Sequence, residues 1–506
     1  MQLITYVDRL AGNMRGLRKL LGNEFGGLFK GVHLLPFFSP IDGADAGFDP
    51  VDHTTVDSRL GDWHDVKALS ANCSLTADVI VNHISVNSPQ FLDVRKRGKA
   101  SKYWDLFLRK DDVFPDEGPT DSAEHESRLI YRPRPGQPFT TIELDDGSSY
   151  EFWTTFSDSQ LDINVETSAG RAYLDNILTT LADAGVRELR LDAAGYAIKR
   201  RGTSCFMLPE TYDFLGQLSD RASELGMQTL VEIHSYYKTQ IEIAQRVGRV
   251  YDFALPPLVL HTLYSGSSDA LTNWLSIAPK NCVTVLDTHD GIGIVDVGRN
   301  GSEAGLLTDV EIEELVESIH TKSGGASRLA SGHAASNLDV YQVNSTFYDA
   351  LGRNDPDYLI ARAIQFFAPG TPQIYYMGLL AGENDLEQMK KTGVGRDINR
   401  SYYSRRDIHD AMRRPVVRRL MQLVLLRNQL TAFEGTMSIP NSPEGELRLR
   451  WDSEKAWAQL TVELKNHRAT IDYVENEMTK HLVIDQTWVD ETDSHQNEPW
   501  NRVHEQ

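Results

Sequence analysis

The stretch ELRLDAAGY, residues 188–196, joins a short run of strand-forming residues to a turn of small residues. In the extended part, Arg190 and Asp192 lie on the same face, because strand side chains repeat every second residue. Amphipathic helical stretches lie on either side of it along the chain. This alternation of strand and helix is typical of βαβ units and predicts a parallel sheet.

Seven other runs have the same character, since each is short, apolar and rich in β-branched residues. They are Leu3 to Val7, Val32 to Phe37, Asp78 to Asn82, Thr229 to Ile233, Tyr251 to Ala254, Cys282 to Leu286 and Gln373 to Met377. Eight strands separated by helices are what a (β/α)8 barrel, or TIM barrel, requires. The sequence therefore predicts the α/β class with such a barrel.

Two connections are too long for a simple crossover, with roughly 105 residues between the third and fourth runs and roughly 85 between the seventh and eighth. Both predict inserted modules at the mouth of the barrel. Near the carboxyl end, alternating apolar residues such as Leu447, Leu449 and Trp451 predict a small antiparallel domain. The predicted division is a barrel at 1–83, 168–290 and 356–430, inserted domains at 84–167 and 291–355, a β domain at 431–490 and a polar tail at 491–506.

Composition and charge exclude several classes of function. The chain has 506 residues and a formal net charge of −21, which would repel the phosphate backbone of nucleic acids. Its three cysteines lack CxxC spacing, which argues against a disulfide framework and a thiolate zinc site and favours the cytoplasm. The sequence also predicts neither a standard export signal nor a membrane-spanning helix.

Several predicted strands end in carboxylates or histidines, and a barrel brings the carboxyl ends of its strands to one mouth. A single Asp after a strand is most often a helix cap or a turn residue. Four such strand ends together are harder to explain as local structure alone. The residues are Asn82 and His83, Arg190 and Asp192, Glu232 and His234, and Asp287, His289 and Asp290.

Retaining glycosyl transfer needs one carboxylate as nucleophile and a second that acts first as acid and then as base. Asp192, Glu232 and Asp290 could supply these groups. Arg190, on the same strand face as Asp192, could hold that carboxylate ionised. The strand ends therefore indicate a retaining glycosyl-transfer site.

Four strings resemble the conserved regions of the α-amylase family: DVIVNH at 78–83, RLDAAGY at 190–196, VEIHSYY at 231–237 and LDTHDG at 286–291. Four more resemble its sucrose phosphorylase subfamily: GADAGFDPVDHT at 43–54, IYRPRPGQPFT at 130–140, NLDVYQVNSTFYDALG at 337–352 and GRDINRSYY at 395–403. The resemblance extends to about residue 430. It implies reversible retaining transfer of glucose from sucrose to phosphate, which yields α-D-glucose 1-phosphate and D-fructose.

The resemblance also implies roles for individual residues. Asp192 would be the nucleophile, Glu232 the general acid/base and Asp290 the stabiliser of the transition state. The implied glucose-binding and substrate-binding residues are Asp45, Phe48, His83, Phe156, Gln160, Arg190, Tyr196, His289 and Arg396. From the residues alone, Phe48 and Phe156 could equally be core residues.

Phosphate must enter a site that already holds several carboxylates, so neutral and cationic donors are needed. Arg134 offers a planar fork for phosphate, His234 can donate when protonated, and Tyr341 donates without adding charge. From the residues alone, Arg134 could instead cap loop carbonyls. The resemblance places Arg134 and Tyr341 on mobile loops, and it places Asp339 and Gln342 against the fructosyl part.

Neither a cofactor nor a catalytic metal is expected, because GxGxxG, P-loop and HExxH spacings do not occur at the glycines and histidines considered. The expected partners are small molecules, and a homodimer is kept as an alternative to a monomer. Alternative functions are a phosphorylase of glucosylglycerol, glucosylglycerate or sucrose 6'-phosphate, a sucrose hydrolase or an isomerising transferase. A non-catalytic barrel subunit is the remote alternative. Tyr341 and Gln342 favour free over phosphorylated sucrose, since the latter calls for more basic residues.

Overall fold

A computed structural model describes residues 1–43, 45–115, 128–132, 136–332, 342–475 and 478–491 of the chain. Within these residues, eight parallel strands close into a barrel, as predicted. We number them in chain order: β1 Gln2–Thr5, β2 Gly31–Leu34, β3 Ser74–Ile80, β4 Glu188–Asp192, β5 Gln228–Val231, β6 Arg249–Asp252, β7 Cys282–Thr284 and β8 Thr371–Tyr375.

The first and last strands of the barrel pair with each other and so close it. Gln2 of β1 is in register with Gln373 of β8 on one side and with Gly31 of β2 on the other. On β4, Leu189 and Leu191 are fully buried in the main apolar core, whereas Arg190 between them bonds to the Asp78 carboxylate of β3. Alternate residues of one strand therefore serve the core and the polar network below the site.

Helices surround the barrel and fill the connections between its strands. The α-helices are Val7–Ala11, Met14–Gly22, Trp63–Ser70, Pro89–Arg97, Lys110–Val113, Ser168–Asp183, Pro209–Glu224, Tyr237–Ala244, Leu255–Ser265, Asp269–Ile277, Asp309–Lys322, Ala326–Ser331, Phe347–Ala350, Asp355–Phe367, Tyr376–Leu379, Leu386–Thr392, Arg405–Met412, Pro415–Gln429 and Gln486–Asp490. Among the described residues, no helix is both long and apolar enough to cross a membrane.

Short antiparallel pairs lie outside the barrel, mostly in the long connections. They are Phe38–Ser39 with Asp52–Val56, His83–Ser85 with Gln160–Asp162, Phe139–Glu143 with Ser149–Trp153, and Ile292–Gly293 with Gln342–Val343. The pairing of His83–Ser85 with Gln160–Asp162 returns the connection after β3 to the barrel mouth. The pair at Ile292–Gly293 does the same after β7.

A five-stranded antiparallel sheet forms the carboxyl-terminal domain, as the alternating residues predicted. Its strands are Thr436–Ser438, Glu446–Asp452, Trp457–Glu463, Arg468–Glu475 and Met478–Ile484. Leu447, Leu449 and Trp451 point to one buried face of the sheet. The Trp451 indole donates to the carbonyl oxygen of Phe367 at 2.8 Å, which joins this sheet to the helix before β8.

Candidate active site

Three carboxylates from three connections meet at the barrel mouth. Asp192 ends β4, Glu232 directly follows β5, and Asp290 lies beyond β7. All three line one pocket. Ala193 has a φ of 55°, a left-handed conformation that is uncommon without glycine, and it turns the chain immediately after Asp192.

Arg190 connects the first two carboxylates to the barrel interior. Its Nη1 donates to Asp192 Oδ1 at 2.9 Å and also to Asp78, and its Nη2 lies 3.8 Å from Glu232 Oε1. Burial raises the pKa of Asp192 well above its usual range, and the Arg190 guanidinium opposes this effect. Burial therefore outweighs the Arg190 contact in its effect on the pKa of Asp192.

Asp290 has the opposite environment, because two arginines face it. Arg396 Nη1 lies 2.7 Å and Arg400 Nη2 3.6 Å from Asp290 Oδ1. Burial would raise the pKa of Asp290, but Arg396 and Arg400 together hold it well below its usual range. Asp290 therefore stays ionised, as a group that stabilises positive charge on a sugar ring must.

Aromatic rings form the walls of the pocket. Phe48 stacks on His289 with ring centroids 4.8 Å apart and planes 7° apart. On the other side, Phe156 packs against both His83 and Tyr196, with centroids at 5.0 and 5.1 Å. Burial lowers the pKa of His289 to about 3, so this imidazole is neutral and offers one donor and one acceptor.

His234 and Gln342 line the remaining side of the pocket. The Gln342 amide nitrogen lies 3.0 Å from His234 Nε2, and the Gln342 carbonyl oxygen accepts from Arg396 at 3.3 Å. His234 Nε2 is also 3.7 Å from Glu232 Oε1. The connection after β7 thereby brings the neutral Gln342 amide beside two groups that contact the carboxylates. These are His234, near Glu232, and Arg396, which pairs with Asp290.

Most of the predicted site residues line this pocket together. They are Asp45, Phe48, His83, Phe156, Asp192, Tyr196, Glu232, His234, His289, Asp290, Gln342 and Arg396. Two others lie directly behind the lining: Arg190 beneath the carboxylates, and Gln160 with its amide nitrogen 3.2 Å from His83 Nε2. Arg134, Asp339 and Tyr341 lie outside the described residues.

Four residues near the site were not predicted: Asp78, Lys199, Asp296 and Arg400. Arg400 is fully buried and donates to the carbonyl oxygen of His289 at 2.8 Å. It is part of the GRDINRSYY string, so the string carried a signal for it. Lys199 and Asp296 have no comparable signal, because their partners are distant in the sequence.

Lys199 lies in a cage of oxygen atoms at the rim of the barrel. Its ammonium group donates to Asn82 Oδ1 at 2.7 Å and to the carbonyl oxygen of Tyr196, and it forms a buried ion pair with Asp162. Asp162 in turn accepts from the backbone N–H of Thr155 at 3.0 Å. The lysine thus links the end of β3, the inserted strand and the turn after β4.

One atom from each of Glu232, His234 and Asp290 could bind a metal ion, and these three atoms lie within 4.8 Å of one another. Such a grouping resembles a metal centre in distance only. Arg396 and Arg400 lie on Asp290, and the Gln342 amide lies on His234. Because two guanidinium groups would repel a divalent ion here, we assign no metal to this group.

Two larger grooves lie on the outside of the barrel, with volumes of about 600 and 740 Å³. The first lies between helices Ser168–Asp183 and Pro209–Glu224. Its charged side chains pair with each other, as Arg200 does with Glu166 at 2.7 Å. Neither groove contains a barrel strand end, so the smaller pocket at the mouth is the candidate active site.

Comparisons with known proteins agree with this assignment. Residues 12–419 match the model of the alpha-amylase catalytic domain. The chain is 55% identical over 472 residues to a sucrose phosphorylase of Agrobacterium vitis, covering 93% of this chain and 96% of the relative. It is 48% identical over 468 residues to a sucrose phosphorylase of Bifidobacterium adolescentis, covering 92% of each. A solved structure of the sucrose 6F-phosphate phosphorylase of Thermoanaerobacter thermosaccharolyticum matches with a TM-score of 0.88 at 36% identity, over 96% of this chain and 98% of that one.

Proposed function

The chain belongs to the α-amylase family, and we propose that within it this enzyme catalyses the reversible phosphorolysis of sucrose. The products would be α-D-glucose 1-phosphate and D-fructose. The single observation that carries the proposal is the meeting of Asp192, Glu232 and Asp290 in one pocket beside His234. The two sucrose phosphorylases with 55% and 48% identity support sucrose as the donor.

The first half of the reaction would transfer glucose to the enzyme. Glu232, as the acid, protonates the glycosidic oxygen while Asp192 attacks the anomeric carbon. Fructose leaves, and a covalent glucosyl enzyme remains. Asp290, held ionised by Arg396 and Arg400, stabilises the positive charge that develops on the ring.

The second half would return the glucosyl group to an acceptor. Glu232, now a carboxylate, takes a proton from hydrogen phosphate, whose oxygen attacks the anomeric carbon and releases Asp192. Two displacements at one carbon leave the α configuration unchanged. We propose that His83, His289 and Asp45 hold the glucose hydroxyls, and that Gln342 contacts the acceptor side.

The inserted segments 84–167 and 291–355 would shape the acceptor side of the pocket, since Phe156 and Gln342 come from them. We place phosphate near His234, with Arg134 and Tyr341 as further ligands and Asp339 at the fructosyl part. Free cysteines at positions 73, 205 and 282 support a cytoplasmic location.

Incubation with sucrose, with and without phosphate, tests the proposal directly. With phosphate, glucose 1-phosphate and fructose should form in equal amounts, and free glucose should be a minor product. Glucose as the main product at saturating phosphate would indicate a sucrose hydrolase instead. A parallel series with glucosylglycerol, glucosylglycerate and sucrose 6'-phosphate would identify another donor if sucrose is not cleaved fastest.

Arg134→Ala is expected to weaken phosphate use more than formation of the glucosyl enzyme. A charge-assisted contact contributes roughly 1.5–3 kcal/mol, so phosphate kcat/KM should fall by about one to two orders of magnitude. Water needs no such contact, and hydrolysis should take a larger share of turnover. Arg299→Ala, at an exposed arginine paired with Asp309, is the matched control. An unchanged ratio of phosphorolysis to hydrolysis would show that Arg134 is not a phosphate ligand.

A further inference from the structure

Asp296 lies directly behind His234, on the side away from the pocket. Its Oδ2 is 2.9 Å from His234 Nδ1, and the side chain of Asp296 is fully buried. Its Oδ1 accepts from the amide of Gln240 at 2.7 Å and from the backbone N–H of Ser235 at 3.2 Å. These donors hold the Asp296 carboxylate in place. His234 Nδ1 therefore carries a proton and donates a hydrogen bond to this carboxylate.

The backbone leaves room for this pair only because residue 293 is glycine. A Cβ atom at Gly293 would lie 2.2 Å from Asp296 Oδ2 and 3.1 Å from His234 Nδ1. On its other face, the His234 ring stacks on Phe253 with centroids 3.8 Å apart. The imidazole is therefore clamped, and its Nε2 is directed into the pocket.

Among the described residues, the charged groups that act most strongly on His234 are acidic. Besides Asp296, Glu232 Oε1 lies 3.7 Å from His234 Nε2. A carboxylate oxygen of Asp290 lies within 4.8 Å of both Glu232 and His234. Burial acts to lower the pKa of His234, but Asp296, followed by Glu232 and Asp290, raises it above the ordinary value. The acidic neighbours therefore reduce the cost of adding a second proton to this buried ring when an anion lies at Nε2.

The Gln342 amide covers His234 Nε2. Arg396 donates to the Gln342 carbonyl oxygen, so the NH₂ group of this amide faces Nε2 at 3.0 Å. An amide donor matches an imidazole whose Nε2 is unprotonated. An anionic acceptor at the same position needs a donor there, so the two states of the pocket require different protonation of one atom.

Building on the proposed phosphorolysis, we propose that Asp296 is a positioning residue for the acceptor step. It holds the Nδ1 proton, directs Nε2 into the pocket, and stabilises the second proton that His234 takes up when hydrogen phosphate displaces the Gln342 amide. That proton comes from dihydrogen phosphate, which becomes hydrogen phosphate, or from solvent, so the bound hydrogen phosphate keeps the one proton that Glu232 later takes. Binding of phosphate and binding of this proton then strengthen each other, as linkage requires. Water as acceptor gains nothing from the charge, so Asp296 favours phosphorolysis over hydrolysis.

Asp296→Asn tests the proposal because the amide oxygen still accepts from Nδ1 but carries no charge. Phosphate kcat/KM should fall about tenfold, and the alkaline limb of its pH profile should move to lower pH. Cleavage of α-glucosyl fluoride without phosphate should change less than about twofold. The titration of phosphate itself is the same in both proteins and cancels. Equal losses in both reactions, with an unmoved alkaline limb, would overturn the proposal.

Two further variants separate positioning from a general structural effect. In a His234→Gln background, Asp296→Asn should not change the ratio of phosphorolysis to hydrolysis further, because the residue through which it acts is gone. Asp309→Asn, at an exposed carboxylate paired with Arg299, is the matched surface control. A full additional effect in the His234→Gln background would contradict the proposal.

Nitrogen NMR of the histidine rings in the wild-type enzyme tests the pair even if Asp296→Asn does not fold. Comparison with His234→Gln assigns the signals, and inorganic phosphate is the probe. Phosphate should convert Nε2 from an unprotonated to a protonated nitrogen at a fixed pH near 7.5. If the enzyme is phosphorolytic but Nε2 does not respond, the proposal is wrong. If wild-type enzyme forms no glucose 1-phosphate, the proposed function fails instead.

Discussion

Arg190 is shared among Asp78, Asp192 and Glu232, so one guanidinium group balances the charge of several acids. Asp192 and Asp290 lie in the same pocket, yet their environments separate their pKa values in opposite directions. Such separation is the usual way in which one site assigns different tasks to similar groups. The residue scale therefore offers direct tests of each role.

Activity should depend on pH through Asp192. Burial raises the pKa of this carboxyl, and the nucleophile must be ionised, so kcat/KM for sucrose should fall on the acid side at a pH above the ordinary carboxyl range. In the folded protein Asp192 binds its proton more tightly than in the unfolded chain. Its contribution to stability is therefore present at low pH and is lost as the pH rises through the raised pKa.

Asp192→Asn follows from the same reasoning: it should reduce turnover below about one per cent while the melting temperature at pH 7 stays equal or rises. A pH–rate profile from pH 4 to 8 and a thermal unfolding curve check both parts. An acid limb at the ordinary carboxyl pKa, or a variant that retains its turnover, would contradict them.

Glu232→Gln should block sucrose cleavage, because fructose leaves only when its oxygen is protonated. Fluoride departs with little acid assistance, so release of fluoride from α-glucosyl fluoride should be at least about tenfold less impaired than sucrose cleavage. Burst kinetics with both donors provide the measurement. Glu317→Gln, at an exposed residue paired with Arg328, is the matched control. Equal losses for the two donors would remove Glu232 from the acid role.

At the scale of elements, Lys199 connects three segments that are separated in sequence by the long connection after β3. Lys199→Met keeps the length of the side chain but leaves the buried Asp162 carboxylate without its cation. Breaking a buried ion pair in this way costs roughly 3–5 kcal/mol, so the free energy of unfolding should drop by about that amount. Denaturant unfolding of the variant gives the value.

A second substitution provides the matching control for this prediction. Adding Asp162→Asn to Lys199→Met removes the orphaned charge and should restore part of the lost stability. Lys238→Met, at an exposed pair with Glu303, should change stability by less than about 1 kcal/mol. If Lys199→Met unfolds at the wild-type denaturant concentration, the cage does not stabilise the rim.

The strands could be predicted because each is a short apolar run, but several of their ends could not. The run Tyr251 to Ala254 was predicted as a strand, whereas β6 ends at Asp252. The Asp252 carboxylate accepts from the backbone N–H of Leu255 at 3.0 Å, and a helix begins at Leu255. Apolar composition continues across this boundary, so hydrophobicity alone does not mark the end of the strand. The start of a strand was also misplaced, because β3 begins at Ser74, four residues before the predicted run Asp78 to Asn82.

For the site, residues at strand ends were predictable and residues that hold them were not. Asp192 ends β4, Glu232 directly follows β5 and Asp290 lies in the connection after β7, so barrel geometry brings them to one mouth. Asp296 reaches His234 across 62 residues, and Lys199 reaches Asn82 across 117. Those contacts depend on how the loops fold over the barrel mouth. Hydrophobic periodicity in a sequence predicts helices and strands, but it does not predict loop conformation.

At the scale of the whole molecule, barrel, connections and carboxyl-terminal sheet act as one packed unit. Arg427 donates to the carbonyl oxygen of Phe366 at 2.8 Å, and its guanidinium lies 3.8 Å from the Phe433 ring centroid. Trp451 of the carboxyl-terminal sheet donates to the carbonyl oxygen of Phe367, so this sheet packs on the helix that leads into β8. The pocket at the mouth depends on that strand for closure of the barrel below it.

The pairing of β1 with β8 also sets an order of events in time. Leu3 pairs with Ile374 of β8, which the ribosome adds much later in synthesis. At a translation rate of about 5–20 residues per second, roughly 20–75 s pass between the synthesis of Leu3 and that of Ile374. Until then, one edge of the growing sheet stays unpaired. Each newly made chain therefore passes through a period of about a minute in which its open sheet edge can pair with another chain. Chaperones can protect the edge during this period.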